Sequence, residues 1–232
     1  MNKNVKVFVG LSVTAIIFYF SNVLGSRIII NSDFIPNTFI THTLMFLLSL
    51  ITIGVLWKEV QYRIAWPKLS RVFRPVLFGF LGFFLVNVLF GIITMMTTGD
   101  AAESHPAMQR MDALQIFVFI VIYASIAEEF LFRGLLMNLL KPLKDKGIKI
   151  FKRKISLPVI IAAVLFGLGH LVLIRTGAGT LFLVQIVTAT TVLGLVAGYY
   201  QEKYNNNAYA IIVHMAGNLL ALIPAIISSF LT

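Results

Sequence analysis

Long apolar runs separated by short polar and basic segments occupy almost the whole chain. A helix needs about 20 predominantly apolar residues to cross a bilayer, and seven stretches come close to that length. They are residues 5–24, 38–57, 75–96, 113–140, 157–174, 178–200 and 207–231. The pattern predicts an all-α, polytopic transmembrane helical bundle of about seven spans. The range is six to eight, because the short fifth stretch could be broken or merge with a neighbour.

Composition supports the same class. The chain is 59% hydrophobic and 12% charged, whereas soluble domains are about 45–50% apolar and about 25% charged. Its 232 residues suit one compact bundle. The absence of cysteine excludes a disulfide, a thiolate nucleophile and a Cys-ligated metal.

Basic residues are concentrated on one side of the predicted membrane. If the N-terminus is cytoplasmic, fifteen of the nineteen Lys and Arg residues lie in cytoplasmic segments. Only Arg27, Arg110 and Arg175 lie in outer loops, and Arg133 lies within a span. The positive-inside rule therefore predicts a cytoplasmic N-terminus and an external C-terminus. The net charge of +10 then reflects topology and attraction to anionic lipid, and it does not indicate a nucleic-acid partner.

Ionisable residues within the spans are the most informative feature. Glu128, Glu129 and Arg133 lie in the fourth span, although each charge at mid-membrane costs roughly 2.5–3.5 kcal/mol. His170 lies in the fifth span, and His214 lies in the seventh with Asn218. At about 1.5 Å rise per residue, these groups fall at a similar depth, which we expect to lie midway towards the cytoplasmic face.

The spacing of these residues suggests acid–base chemistry. Glu129 and Arg133 are four residues apart and can pair on one helix face, which leaves Glu128 to face a cavity. A carboxylate and a histidine across a cavity can hold and deprotonate water. His214 and Asn218 could stabilise an oxyanion. Such a site hydrolyses peptides without a Ser, Thr or Cys nucleophile. Alternatively, Glu128, His170 and His214 could be three zinc ligands.

Other polar residues have simpler interpretations. We expect His42 to be an interfacial histidine. We expect Asp100, Glu103, His105 and Asp112 to belong to a solvated outer loop. Gly194 and Gly198, four residues apart in the sixth span, form a helix-packing pattern that could act within the chain or between chains.

Three motifs in this order resemble the CPBP family, the CAAX-protease and bacteriocin-processing intramembrane proteases, also called the Abi family. The motifs are Glu128-Glu129-(x)3-Arg133, Phe166-(x)3-His170 and His214-(x)3-Asn218. The resemblance covers about residues 113–222. It divides the chain into N-terminal transmembrane helices of unknown role, residues 1–112, and a catalytic core, residues 113–232.

The resemblance implies residue roles. Glu128 and His170 would activate water, His214 and Asn218 would stabilise the oxyanion, and Glu129 and Arg133 would support the site. The implied activity is that of an intramembrane endopeptidase of the glutamic type, acting near the cytoplasmic leaflet without a metal. Zinc stays open as an alternative. The implied partners are a peptide or membrane-protein substrate and the lipid bilayer, in a cell membrane that we expect to be bacterial.

Two other functions are compatible with the same residues. The chain could be a catalytically silent membrane scaffold or a bacteriocin-immunity protein that binds a partner. Membrane-embedded Glu and His residues also occur in transporters and proton relays. Against a transporter, the sequence has no pair of interrupted helices in corresponding halves. Substrate, scissile bond and oligomeric state are not determined by the sequence.

Overall fold

The computed structural model confirms a polytopic helical bundle. It describes residues 1–101, 103, 105–108, 111–150 and 152–231. Within this part of the chain, seven helices are long and apolar enough to cross a membrane. They are α1 (Lys3–Gly25), α2 (Thr38–Val55), α3 (Leu69–Thr98), α4 (Ala113–Leu139), α5 (Leu157–Thr176), α6 (Thr180–Tyr204) and α7 (Ala208–Ile226). Each corresponds to one of the predicted stretches.

Short elements join the spans. A single helical turn, Trp57–Val60, follows α2, and one-turn 3-10 segments occur at Pro106–Met108 and Lys141–Leu143. An antiparallel hairpin of β1 (Gly147–Ile150) and β2 (Arg153–Ser156) connects α4 to α5. This hairpin was not predicted from the sequence. Its strands are only four residues each and largely exposed, and they lie in a short basic segment between two spans.

One end of the bundle gathers the basic segments, and we call it the basic end. Lys6 Nζ donates a hydrogen bond to the Glu59 carbonyl. The backbone N–H of Asn207 donates to the Arg63 carbonyl at 3.0 Å, and the Ser156 hydroxyl donates to the Glu202 carboxylate at 2.6 Å. These contacts bring together the segments before α1, between α2 and α3, between α4 and α5, and between α6 and α7.

The other end, which we call the loop end, carries the three remaining connections. The Gln115 side chain at the start of α4 donates to the carbonyls of Asp33 and Phe34, each at 2.9 Å. The Gly179 amide before α6 donates to Glu103 at 3.1 Å. The seven spans therefore alternate in direction. Arg110, one of the basic residues assigned to this end, lies outside the described residues.

α4 is the central helix of the bundle. More than half of the residues in its most apolar part are buried inside the bundle, whereas the corresponding fraction for α3 is 6%. Leu131, Leu135, Leu136 and Leu139 on α4 are completely buried against α1, α2 and α5. This part of α4 is thus shielded from lipid, and the shielding lowers the cost of the charged residues on it.

Candidate active site

The helices that carry the three motifs change geometry at the motifs. α4 is π-helical over Ile116–Ala124 and Phe130–Leu136, with the α-helical turn Ser125–Glu129 between them. α5 passes from α-helix to 3-10 helix at His170, and α7 makes the same change after Asn218. Such irregular turns occur often at functional sites because they reorient side chains. In α4, α5 and α7, these changes of helix geometry lie at or next to the polar residues that sequence analysis selected.

The deepest part of the site is a fully buried ion pair. The Arg133 Nη1 atom donates to Glu129 Oε1 at 2.8 Å, and both side chains have no solvent exposure. His214 Nδ1 lies 2.9 Å from the same carboxylate oxygen. The prediction that Glu129 and Arg133 share a face and pair is therefore confirmed by the geometry.

The Arg133 guanidinium lies between an aromatic ring and a glycine. Its carbon is 4.7 Å from the centre of the Phe166 ring, within the range of a cation–π contact. A Cβ atom at Gly194 would lie 2.6 Å from Arg133 Nη2. The Gly194 and Gly198 pattern therefore acts within the chain, where it makes room for α5 and for the arginine. Glu129 Oε2, Arg133 Nε and Arg133 Nη2 are buried and make no hydrogen bond to the described residues.

Glu128 has different surroundings from Glu129. Its side chain is 17% exposed, whereas that of Glu129 has no exposure. One carboxylate oxygen lies 3.3 Å from His42 Nε2, and the other lies 3.7 Å from His214 Nε2. Two adjacent carboxylates thus differ in position, as the sequence spacing predicts, and Glu128 is the one that can reach a bound molecule.

His170 is oriented by its own helix. Its Nδ1 atom lies 3.1 Å from the Phe166 carbonyl oxygen. A carbonyl oxygen can only accept a hydrogen bond, so Nδ1 is the donor and carries the hydrogen. Nε2 of a neutral imidazole then keeps its lone pair. The Phe166 ring makes edge contacts with both His170 and His214, at 5.2 and 5.3 Å between ring centres. Phe166 therefore packs against both histidines of the site.

Asn218 is anchored to α4. Its amide nitrogen donates to the Ile120 carbonyl at 3.2 Å and to the Ser125 hydroxyl at 3.1 Å. Both amide hydrogens are therefore directed at α4 rather than at Glu128. In this conformation Asn218 would have to release one of these bonds before it could donate to an oxyanion.

A cavity of about 900 Å³ connects the motif residues. Glu128, His170, His214 and Asn218 all line it, so the structure brings together the four residues predicted to be catalytic. Most of the remaining wall is apolar. Glu129 and Arg133 are not part of the wall, which is consistent with their predicted supporting position.

Two histidines differ from the sequence interpretation. His42 is not a plain interfacial residue, because it contacts Glu128 from α2. His105 is not in open solvent: it is half-buried, lines the cavity and contacts the Phe182 ring at 6.2 Å between centres. Burial lowers the pKa of His105 to about 4. Both residues lie at the loop ends of their segments, where a sequence pattern cannot distinguish an inward side chain from an outward one.

Two acidic residues of the same loop also have structural partners. Asp112 caps α4: its carboxylate accepts a hydrogen bond from the backbone N–H of Gln115 at 2.8 Å, and the Gln115 side chain accepts one from the backbone N–H of Asp112, which completes a capping box. Glu103 accepts the Gly179 amide hydrogen bond described above. They hold the loop against the bundle while both residues stay exposed, so the prediction of a solvated loop holds for them.

The cavity extends towards the loop end. Its wall includes Asn22, Thr38, Ile116, Leu173 and Phe182, each near the loop end of its span. Sequence analysis predicted both a cytoplasmic N-terminus and a site near the cytoplasmic leaflet. The cavity thus reaches the site from the loop end, which the positive-inside rule assigns to the non-cytoplasmic side.

A zinc site is not preorganised in this arrangement. Across the part of the chain that the structure describes, no three His, Asp or Glu side chains are placed so that they could hold a metal ion. His214 Nδ1 is directed at Glu129, and His170 Nδ1 is directed at a carbonyl. Glu128, His170 and His214 are neighbours, but as placed they do not form a ligand set.

The fold and the cavity define the class: a polytopic helical membrane protein with a carboxylate–histidine site inside the bundle. A family model described as type II CAAX prenyl endopeptidase Rce1-like matches residues 110–220. This segment is similar to that family, in agreement with the resemblance seen in the motifs. No curated protein and no solved structure matches the chain. The similarity supports an endopeptidase role, and the matched segment includes every predicted site residue.

Proposed function

We propose that the chain is an intramembrane endopeptidase in which Glu128 and His170 activate a water molecule. The observation that carries the proposal is the contrast between two adjacent carboxylates. Glu129 is buried and paired with Arg133, whereas Glu128 lines the cavity beside two histidines. A protein that needed only a structural ion pair would have no use for the second carboxylate, which is costly at this depth.

His170 is suited to hold the water. Its Nδ1 hydrogen is occupied by the Phe166 carbonyl, so the Nε2 lone pair can accept a hydrogen bond from water in the cavity. Glu128 then takes a proton as the water oxygen attacks the carbonyl carbon of the scissile peptide bond. The same carboxyl group returns that proton to the leaving amine, so one residue acts first as base and then as acid.

His214 would stabilise the negative charge of the tetrahedral intermediate. It lies between both carboxylates, with Nδ1 on Glu129 and Nε2 facing Glu128. A protonated His214 balances the charge of the cluster, because Glu128 and Glu129 are offset by Arg133 and the imidazolium. In that form Nε2 can donate a hydrogen bond to an oxyanion. Asn218 would join it after releasing one bond to α4.

The substrate is a peptide or a membrane-anchored protein whose scissile bond enters the cavity. The mostly apolar wall favours an extended, hydrophobic segment. The description of the matching family model is type II CAAX prenyl endopeptidase Rce1-like. An apolar wall fits hydrophobic side chains and a prenyl chain alike, so the proposal stops at peptide-bond hydrolysis.

A cleavage assay tests the proposal. Purified wild type, Glu128→Gln and His170→Asn are incubated with a library of hydrophobic peptides in detergent or liposomes. Loss of a general base lowers the rate by roughly 10²–10⁴-fold, and we expect both variants to fall at least about 100-fold while remaining folded. Glu202→Gln is the matched control, because Glu202 contacts Ser156 at the basic end. Equal cleavage by wild type and Glu128→Gln would refute the mechanism.

The alternative of a catalytically silent scaffold or immunity protein makes the opposite prediction. A scaffold would keep its cellular effect in Glu128→Gln at an unchanged protein level. Loss of the effect in Glu128→Gln, with Glu202→Gln unaffected, would leave the protease as the function.

A further inference from the structure

A second pocket lies at the basic end of the bundle, where the β1–β2 hairpin meets the end of α6. Its volume is about 340 Å³, within the range of roughly 300–1,000 Å³ that ligand pockets occupy. Among the described residues, none lines both this pocket and the active cavity. We call it the basic pocket, because five basic side chains line it: Lys144, Lys152, Arg153, Lys154 and Lys203.

The positive charge of the basic pocket is not balanced by the protein. Within the described part of the chain, Glu202 is the one carboxylate in its wall, and this carboxylate already accepts a hydrogen bond from the Ser156 hydroxyl at 2.6 Å. Five positive charges against one carboxylate leave an excess of four. None of the five basic side chains forms an ion pair with another described residue. Because like charges this close repel one another, a bound anion would stabilise the arrangement.

Aromatic rings hold two of these cations in position. The Arg153 guanidinium carbon lies 5.6 Å from the ring centre of Phe78 on α3 and 5.6 Å from that of Tyr199 on α6. Lys203 Nζ lies 5.8 Å from the centre of the Tyr199 ring. All three distances are within the range of a cation–π contact. Such contacts orient a cation but leave its positive charge in place, so both side chains can still bind an anion.

An exposed apolar face of α3 begins at the basic pocket. Leu81 and Leu85 follow Phe78 at spacings of three and four residues, so the three side chains share one face of the helix. All three are exposed, and α3 is the least buried of the seven spans. Phe73, at the basic end of α3, is also exposed, as is usual for aromatic residues at a membrane–water interface. The basic pocket therefore adjoins a surface that faces lipid.

We propose that the basic pocket binds the phosphate group of an anionic phospholipid whose acyl chains lie along this face of α3. Arg and Lys are the side chains that bind phosphate in proteins, and basic pockets between transmembrane helices bind anionic head groups. The adjoining apolar face favours a phospholipid over a free phosphate ion in the same pocket. The proposal is independent of the proposed proteolysis, because the basic pocket and the active cavity are separate.

The test measures the binding of labelled phosphatidylglycerol to the full-length protein in a neutral detergent. Arg153→Gln and Lys203→Gln each remove one charge from the basic pocket, and Lys203→Arg keeps the charge. Lys58→Gln is the matched control. Lys58 is an exposed lysine at the basic end with its own ring contact, 5.6 Å from the centre of the Trp57 ring, but it does not line the pocket. Circular dichroism checks that each variant is folded.

Each neutral variant should bind phosphatidylglycerol about fivefold more weakly than wild type. The double variant of Arg153→Gln and Lys203→Gln should bind at least about tenfold more weakly. Lys58→Gln and Lys203→Arg should bind like wild type. Equal weakening in Lys58→Gln and Lys203→Gln would show only a general attraction to the basic end and would overturn the proposal. Unchanged binding in the double variant would overturn it as well.

Two further ligands separate the phosphate charge from the acyl chains. Phosphatidylcholine with the same chains has no net charge, and it should bind more weakly than phosphatidylglycerol. Inorganic phosphate, which has no chains, should not displace the labelled lipid at an equal concentration. Equal binding of the two lipids would show that the chains alone are recognised, and displacement by inorganic phosphate would show that the pocket takes a soluble anion. Either result would contradict the proposal.

Discussion

Neutralising the buried ion pair is the most demanding test of how the site is held. Glu129 and Arg133 have no solvent exposure, and 2.8 Å separates the interacting atoms. Removing one member of such a pair leaves an uncompensated charge and typically costs about 3–5 kcal/mol. Replacing both members by apolar residues of similar size is often neutral or stabilising.

The structure also ranks the single changes. Glu129 accepts hydrogen bonds from both Arg133 and His214, and a hydrogen bond to a charged group contributes about 1.5–3 kcal/mol. Arg133 forms the ion pair and the contact with Phe166. We therefore expect Glu129→Leu to lower the free energy of unfolding by about 3–5 kcal/mol or more. Arg133→Met should cost somewhat less, and the double variant should recover at least about 2 kcal/mol relative to Glu129→Leu.

The measurement is reversible unfolding in mixed detergent micelles, with wild type, both single variants and the double variant under one condition. The coupling energy from this cycle isolates the pair. A double variant whose loss equals the sum of the two single losses would refute the reasoning. Cleavage should remain low in the double variant even where stability returns, because His214 has lost its acceptor on Glu129.

Further predictions follow from single contacts. Gly194→Ala should displace Arg133 and lower the free energy of unfolding by about 1–3 kcal/mol, measured by the same unfolding assay. Gly91→Ala is the control: nothing lies within 4 Å of a Cβ atom at Gly91, so this variant should not destabilise the protein. His42→Phe should lower kcat by roughly 10–100-fold through loss of a hydrogen bond to Glu128. His42→Gln should keep part of the activity that His42→Phe loses. An unchanged kcat in His42→Phe would show that His42 has no role in the reaction. Burial raises the pKa of Tyr62 to about 12, so its contribution to stability is complete below pH 10 and is lost between pH 10 and 12. Tyr62→Phe should therefore lose less stability than wild type across that window, and parallel pH curves would contradict the assignment.

Much of the fold follows from hydropathy alone. Each apolar stretch is long enough to be recognised without knowledge of its neighbours, since the bilayer fixes the length of a span. The pairing of Glu129 with Arg133 could also be predicted, because residues four apart share a helix face. The common neighbourhood of Glu128, His170 and His214 could be inferred from helical rise and alternating direction.

Other features depend on contacts between distant parts of the chain. The approach of His42 to Glu128 joins α2 to α4 across 86 residues, and no local pattern encodes it. The hydrogen bonds of Asn218 to Ile120 and Ser125 depend on how closely α7 packs against α4. The end of the bundle towards which the cavity extends could not be predicted, because depth along a helix does not reveal which end is packed and which is open.

Metal dependence is the measurement that tests the central claim most directly. Purified wild type is assayed for cleavage and for bound zinc, with and without chelator, beside Glu128→Gln and the Glu202→Gln control. A glutamate-activated water predicts cleavage that survives chelation, without bound zinc, and that disappears in Glu128→Gln alone. Cleavage lost on chelation and restored by zinc would contradict this account and make Glu128, His170 and His214 ligands of a metal.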